Sequence, residues 1–213
     1  MDFLPIPISQ YTEQHTSPEP AYLQELNRET QLKILKPRML SGHLQGRWLA
    51  MISQMIRPER VLEIGTYTGY SALCLAEGLQ ENGKIFTIDV NEELELFVKK
   101  YIAKAKMEEK IHLSIGNAME IIPKLKEKWD LVFIDADKAN YQKYYDVVFE
   151  QVKKGGWIIA DNVLWSGKIV ETIKANDKET KALLAFNHFV QNDERVENLL
   201  LPIRDGLMIV RKK

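Results

Sequence analysis

Cysteine is nearly missing from this chain. Cys74 is the only one in 213 residues, so no intrachain disulfide can form, and a lone thiol within a helical stretch reads as a packing group. An excess of one charge is missing too. Twenty-nine basic and 30 acidic residues leave a net charge of −1, without the positive field that bulk binding to nucleic acid requires. No apolar run approaches the roughly 20 residues that span a bilayer, so no membrane partner is expected. Met1–Gln10 holds Asp2 and two prolines but no basic region, which argues against a signal peptide and for a cytoplasmic location. The four histidines, His15, His43, His112 and His188, lack zinc-like spacing and read as structural or surface groups. No G-x-x-x-x-G-K-[ST] run occurs, which removes the P-loop nucleotide binders.

What is present is the composition of an ordinary globular protein, 45% hydrophobic and 28% charged, of a length that suits one domain spanning 1–213. The most informative stretch runs from Val61 to Ser71. Val61, Leu62 and Ile64 form a short apolar run that stops at Gly65, and beyond Gly69 the apolar residues Tyr70, Leu73 and Leu75 recur at helical spacing. This predicts a buried strand, a Gly-rich turn and a helix, the turn offering backbone N–H groups to a ligand. Glu63 is a carboxylate inside that apolar strand, costly unless paired. The spacing Gly65-x-x-x-Gly69 departs from the dinucleotide pattern G-x-G-x-x-G.

Before this stretch, Met1–Thr16 reads as irregular, with Pro5 and Pro7. Ser17-Pro18 reads as an N-cap and first turn of a helix running toward Pro37, with Tyr22, Leu23, Leu26 and Thr30 on one face. A loop at Pro37–Gly42 leads to a helix over His43–Ile56, whose stripe of Leu44, Trp48, Met51, Ile52 and Met55 reads as its packed side. After Gly65 strands and helices alternate. Strands are expected at Lys84–Asp89, Ile111–Ile115, Asp130–Ile134 and Gly156–Ala160. Helices are expected at Glu92–Lys106, Asn117–Leu125, Ala139–Lys153 and Asp177–Gln191. The end, Val196–Ile203 and Leu207–Arg211 around Arg204-Asp205-Gly206, reads as a hairpin. Repeated βα units imply a parallel sheet with helices on both faces, closed by an antiparallel strand. Ser166–Asp177 reads as a loop over the site.

Ligands in open α/β sheets sit at the carboxyl ends of the strands. Asp89 ends the second strand, where a carboxylate suits the two vicinal hydroxyls of a ribose or caps the next helix. Asn117 and Ala118 follow the third strand, and Asn117 equally suits a helix cap. The fourth strand delivers Asp135, with Lys138 just beyond. The fifth delivers Asp161 and Asn162. The last two strand ends lie one βα crossover apart and so can be neighbours. Two carboxylates and an amide oxygen meeting there need a cation between them, and all-oxygen ligands suit Mg²⁺ first, then Mn²⁺ or Ca²⁺. Asp161-Asn162 taken alone reads as a turn after a strand.

The string Glu63-Ile-Gly-Thr-Tyr-Thr-Gly-Tyr-Ser71 resembles the first motif of the S-adenosylmethionine-dependent methyltransferases, and more narrowly the cation-dependent O-methyltransferases of the caffeoyl-CoA and catechol type. The likeness continues through Asp135-Ala-Asp-Lys-x-x-Tyr141, Asp161-Asn-x-Leu-Trp-x-Gly167 and Pro202-Ile-Arg-Asp-Gly206, covering roughly residues 38 to 211. It implies a Rossmann-like seven-stranded sheet, one strand antiparallel, with residues 1–42 as an N-terminal helical and lid segment. It puts Glu63, Gly65, Thr66, Ser71, Asp89, Ala118 and Asp135 on S-adenosylmethionine positions, and Met39 and Ser41 on the lid over its methionine end. Asp135, Asp161 and Asn162 fall on metal positions, Lys138 on a lysine proposed as general base, and Trp165 on an aromatic beside the acceptor. Asn117 departs from the acid or proline common in the family. The resemblance implies a vicinal dihydroxy aromatic substrate and a homodimer. An NAD-dependent oxidoreductase and a cofactor-binding scaffold without activity are the alternatives. A nucleic-acid methyltransferase is disfavoured, because Asp135-Ala-Asp-Lys138 stands where its Asn/Asp-Pro-Pro-aromatic motif belongs.

Overall fold

Alternation of side chains along a strand sends neighbours to opposite faces, and in β1 (Arg60–Ile64) it divides the molecule into two cores. Leu62 and Ile64 pack with residues of α6 (Ala118–Ile121), α7 (Tyr141–Phe149) and α8 (Lys178–Gln191). Val61 packs on the other face with α2 (Ala21–Lys33), α3 (Gly42–Ile56), α4 (Tyr70–Ala76) and α5 (Glu95–Lys104). The remaining strands are β2 (Lys84–Asp89), β3 (Ile111–Ile115), β4 (Trp129–Ile134), β5 (Val152–Asp161), β6 (Val196–Leu201) and β7 (Leu207–Lys212). In this computed structural model, which describes residues 4–213, they form one seven-stranded sheet in the order β3-β2-β1-β4-β5-β7-β6. β1 to β5 pair in parallel with one another, and β7 runs antiparallel to both β5 and β6. This is the Rossmann-like arrangement expected. Strand order reverses between β1 and β4, so their carboxyl ends open the crevice where ligands bind in such sheets.

Several expectations are corrected. Residues 6–14, read as irregular, form α1 (Ile6–Gln14), because Pro5 and Pro7 lie at its start, where a missing N–H costs nothing. Met1, Asp2 and Phe3 lie outside the described residues. The next helix begins at Ala21, not after Ser17, because Pro20 is itself extended, with a ψ of 151°. The packed side of α3 is Gln45, Gly46, Leu49, Ala50 and Ser53, and Met51 and Met55 face outward at 62% and 75% exposure. α6 is short, and Pro123 turns its end into a 3₁₀ turn. α7 stops at Phe149, and β5 begins at Val152, four residues before the expected Gly156. The extra length accommodates a register shift against β4, where Gly155 takes a φ of +78°. No helix among the described residues is long and apolar enough to cross a membrane.

Candidate active site

The Gly-rich turn leaves β1 at the point where β1 and β4 diverge. Gly65 has a φ of +101°, and its N–H donates to the Ile88 carbonyl at 2.9 Å. Gly69, with a φ of +84°, stands just ahead of α4. Around this turn a narrow pocket brings together Met39, Ser41, Gly65, Thr66, Ser71 and Asp135, six of the residues assigned to the cofactor, with Leu40, Tyr67, Thr68 and Tyr70 completing its wall. Ser41 is buried and Met39 half exposed, so the segment before α3 closes one side.

Glu63 lies beneath the turn, fully buried. Burial pushes its carboxyl up to about 8, and the charges of Asp135 and Asp89 push the same way against the Ser71 and Thr87 hydroxyls. Thr87 donates to Glu63 Oε2 at 2.5 Å, and the Thr66 and Thr87 hydroxyls pair with each other. Oε1 of Glu63 and the hydroxyl of Thr68 are buried without a partner. Asp89 closes the turn from β2: its Oδ2 accepts from the Tyr67 N–H at 2.6 Å and its Oδ1 from the Asn91 N–H at 2.9 Å. Asn117 caps α6 by accepting from the Met119 N–H at 3.0 Å, and Ala118 is buried at the first position of that helix.

Ile134 and Ala160 are paired across β4 and β5, so the residues that follow them, Asp135 just beyond β4 and Asp161 at the end of β5, lie side by side. Asp161 is buried. Burial, and then the charge of Asp135, push its carboxyl well above the usual carboxylate range. Asn162 follows in a left-handed conformation, φ +59°. Among the described residues no three His, Cys, Asp or Glu side chains converge as a metal cluster; the groups at these strand ends that could hold a cation are two carboxylates and the Asn162 amide. That donor set fits a hard divalent ion, which would offset the like charge of Asp135 beside Asp161.

Lys138 supplies the positive charge nearby. It is buried, with Nζ 3.0 Å from Asp135 Oδ1 and 2.7 Å from the Tyr141 hydroxyl. Tyr141 in turn donates to the Asp161 carbonyl at 2.9 Å. Burial alone lowers the affinity of Lys138 for its proton, but Tyr141 and Asp135 outweigh it, so the ammonium is held charged. The Trp165 ring lies 5.9 Å from Lys138 Nζ, and its indole N–H is buried without a partner. Trp165, Ser166 and Gly167 all have positive φ, and this loop is held by Asp205 of the final hairpin, which accepts from the Ser166 N–H.

A family model described as O-methyltransferase matches residues 13–213. The chain belongs to this family. It is an S-adenosylmethionine-dependent O-methyltransferase of the caffeoyl-CoA type, as its motifs resemble. It is 34% identical over 205 residues to caffeoyl-CoA O-methyltransferase 2 of Populus trichocarpa, spanning 91% of this chain and 83% of that one. It is 32% identical over 193 residues to a probable caffeoyl-CoA O-methyltransferase 2 of Dictyostelium discoideum, spanning 88% and 84%. Among solved structures it superposes on the S-adenosylhomocysteine-bound methyltransferase PaMTH1 of Podospora anserina with a TM-score of 0.89 and 27% identity, over 100% of this chain and 99% of that one. The Bacillus cereus O-methyltransferase in complex with S-adenosylhomocysteine gives 0.89 and 26%, over 97% of each chain. Membership removes the oxidoreductase and scaffold alternatives.

Sequence reasoning gave no role to four residues that this O-methyltransferase builds into its site. Thr87 was an ordinary strand residue, although its face of β2 is the one beside Glu63. Tyr141 stood in a quoted motif without a task. Gln45 and Arg204 connect to Asp161 from distant parts of the chain. The signal for Gln45 was Gly46 beside it: a Cβ at Gly46 would lie 2.6 Å from the Tyr70 ring, so this side of α3 has to pack closely.

Proposed function

We propose that this enzyme uses a divalent cation, Mg²⁺ foremost, to transfer a methyl group to one hydroxyl of a vicinal dihydroxy aromatic of catechol or caffeoyl form. The observation that carries the proposal is the pair Asp135 and Asp161, side by side at the carboxyl ends of β4 and β5 with Asn162 next in chain and Lys138 against Asp135. The caffeoyl-CoA names of the relatives support the same acceptor class. S-adenosylmethionine supplies an electrophilic methyl group, and a cation chelated by adjacent hydroxyls lowers the pKa of a phenol from about 10.

The chain's own residues bind and orient. The Gly65–Gly69 turn and Asp89 hold the cofactor, Glu63 and Ser71 stand beneath and beside it, and the segment before α3 covers it through Met39 and Ser41. Asp135, Asp161 and Asn162 hold the cation. Lys138, kept charged by its neighbours, stabilises the anionic acceptor oxygen, which is the second of the two roles open to that lysine. Trp165, beside Lys138, forms a wall next to the acceptor. Positioning of the two reactants accounts for a large part of the acceleration.

A homodimer in the cytoplasm completes the proposal. Met51 and Met55 stand exposed on α3, and the half-buried Leu44, Trp48 and Ile52 border them, an apolar stripe suited to a second copy. The buried Cys74, free of any disulfide, suits a reducing compartment. The deciding experiment is a methyl-transfer screen over catechols and caffeoyl esters, with and without added Mg²⁺. Metal-stimulated methylation of vicinal diols, and not of isolated phenols, is the expected result; equal turnover in excess EDTA would refute the cation.

A further inference from the structure

Gln45 lies on α3, far in sequence from either metal-binding strand end, and is fully buried. Its side-chain nitrogen donates to Asp161 Oδ2 at 2.6 Å. The other carboxylate oxygen, Oδ1, accepts from the Asn162 N–H at 2.7 Å. Each oxygen is thus held by one donor and keeps a lone pair free. The far end of Gln45 is also engaged: Oε1 accepts from Arg204 Nη1 at 3.3 Å, and the same guanidinium nitrogen donates to the Ser41 carbonyl.

A glutamine amide can turn either end toward a neighbour. Here the choice is forced. Arginine offers donors only and stays charged, so Arg204 can donate only to the oxygen end of Gln45. The nitrogen end is therefore the one that faces Asp161. Arg204 comes from the turn between β6 and β7, and it also lines a cavity of about 430 Å³ with Arg38 and His43, so it reaches the site from an accessible side.

Resting on the cation reading above, we propose that Gln45, oriented by Arg204, is a positioning residue that presents the Asp161 carboxylate to the metal. Hydrogen-bonded partners of metal-binding groups commonly set affinity by roughly ten- to a hundredfold. A residue that only filled space would change melting temperature without changing metal affinity.

The test titrates Mn²⁺ alone into the full-length protein and follows free Mn²⁺ by electron paramagnetic resonance, with S-adenosylhomocysteine binding measured separately by calorimetry. Gln45→Met keeps the length and loses the donor. Its Kd for Mn²⁺ should rise roughly ten- to a hundredfold, while S-adenosylhomocysteine affinity changes little. The Mn²⁺ concentration for half-maximal turnover should rise in step, with kcat recovering toward the parent value at saturating metal. A folded Gln45→Met protein with parental Mn²⁺ affinity overturns the inference. If that variant does not fold, Arg204→Met decides: weaker Mn²⁺ binding supports the inference, and unchanged binding overturns it. A parent protein that binds no Mn²⁺ overturns the cation reading itself and this inference with it.

Discussion

The carbonyl oxygen of Asp135 occupies the space that a side chain on Gly65 would need: a Cβ built there would lie 1.9 Å from it. The two residues end adjacent strands, and the Asp135 N–H donates to the Ile64 carbonyl at 2.9 Å, so neither backbone can withdraw. The first glycine of the motif thus serves the joint between β1 and β4 as well as any ligand above it. Gly65→Ala should destabilise the protein by about 1–3 kcal/mol from backbone strain alone, and the backbone clash adds to this. Thermal unfolding of the variant checks it; an unchanged Tm would show that the two strand ends can separate.

Glu63 imposes a pH dependence on stability. Its folded carboxyl titrates at about 8, against 4.5 ordinarily, because burial, reinforced by Asp135 and Asp89, opposes its ionisation. Between these values the unfolded chain has released a proton that the folded chain keeps, so stability falls as pH rises. The slope from this group is at most about 1.4 kcal/mol per pH unit. In Glu63→Gln this component should vanish, and the variant should gain on the parent from pH 5 toward pH 8 (roughly the window between the two values). Denaturant unfolding of the ligand-free proteins across that range measures it, and parallel stability curves would contradict it.

Lys138 should act through its charge. Lys138→Ala should lower kcat by roughly 10²–10³-fold, with S-adenosylhomocysteine affinity nearly unchanged. Lys138→Arg, which keeps the charge, should retain more activity than the alanine variant, and neither should alter the shape of the pH–rate profile. Steep recovery of Lys138→Ala at alkaline pH would instead assign Lys138 as the proton acceptor.

Removing the cation should separate binding from turnover. EDTA should abolish methyl transfer and Mg²⁺ or Mn²⁺ should restore it, while calorimetric binding of S-adenosylhomocysteine persists. Asp161→Asn should behave like permanent metal loss with the fold retained, because replacing a buried, repelled carboxylate by an amide removes the charge conflict with Asp135. A variant that turns over normally at low metal would take Asp161 out of the metal set.

The outer stripe of α3 should hold two copies together. Met51→Lys combined with Met55→Lys puts two charges on the exposed apolar face and should convert the protein to a monomer in sedimentation velocity, with the circular dichroism spectrum unchanged. A parent protein that sediments as a monomer would rule the dimer out.

Much of this could be read before any coordinates. Short, near-continuous apolar runs ending in Gly65, Asp89, Asp135 and Asp161 marked buried strands, since burial on both faces leaves few other ways to write a central parallel strand. The Asp-Gly pair at Asp205-Gly206 marked the hairpin through its turn chemistry. The prolines misled at both early helices, because the same residue that ends a helix also starts one, and only the packing of the following turn distinguishes the two. The sidedness of α3 misled for a different reason. Its apolar stripe was real, but the sheet side of that helix needed the small Gly46 against Tyr70 and the polar Gln45 against Asp161, and hydrophobicity is blind to both. Contacts between residues remote in sequence leave no periodic trace. Arg204, Gln45 and Asp161 come from a hairpin turn, a helix and a strand end, and only closure of the sheet brings them to one carboxylate. The unpaired oxygen of Glu63 and the held charge of Lys138 are likewise tertiary facts, because burial and the distances between charges set both, and the folded chain alone determines those.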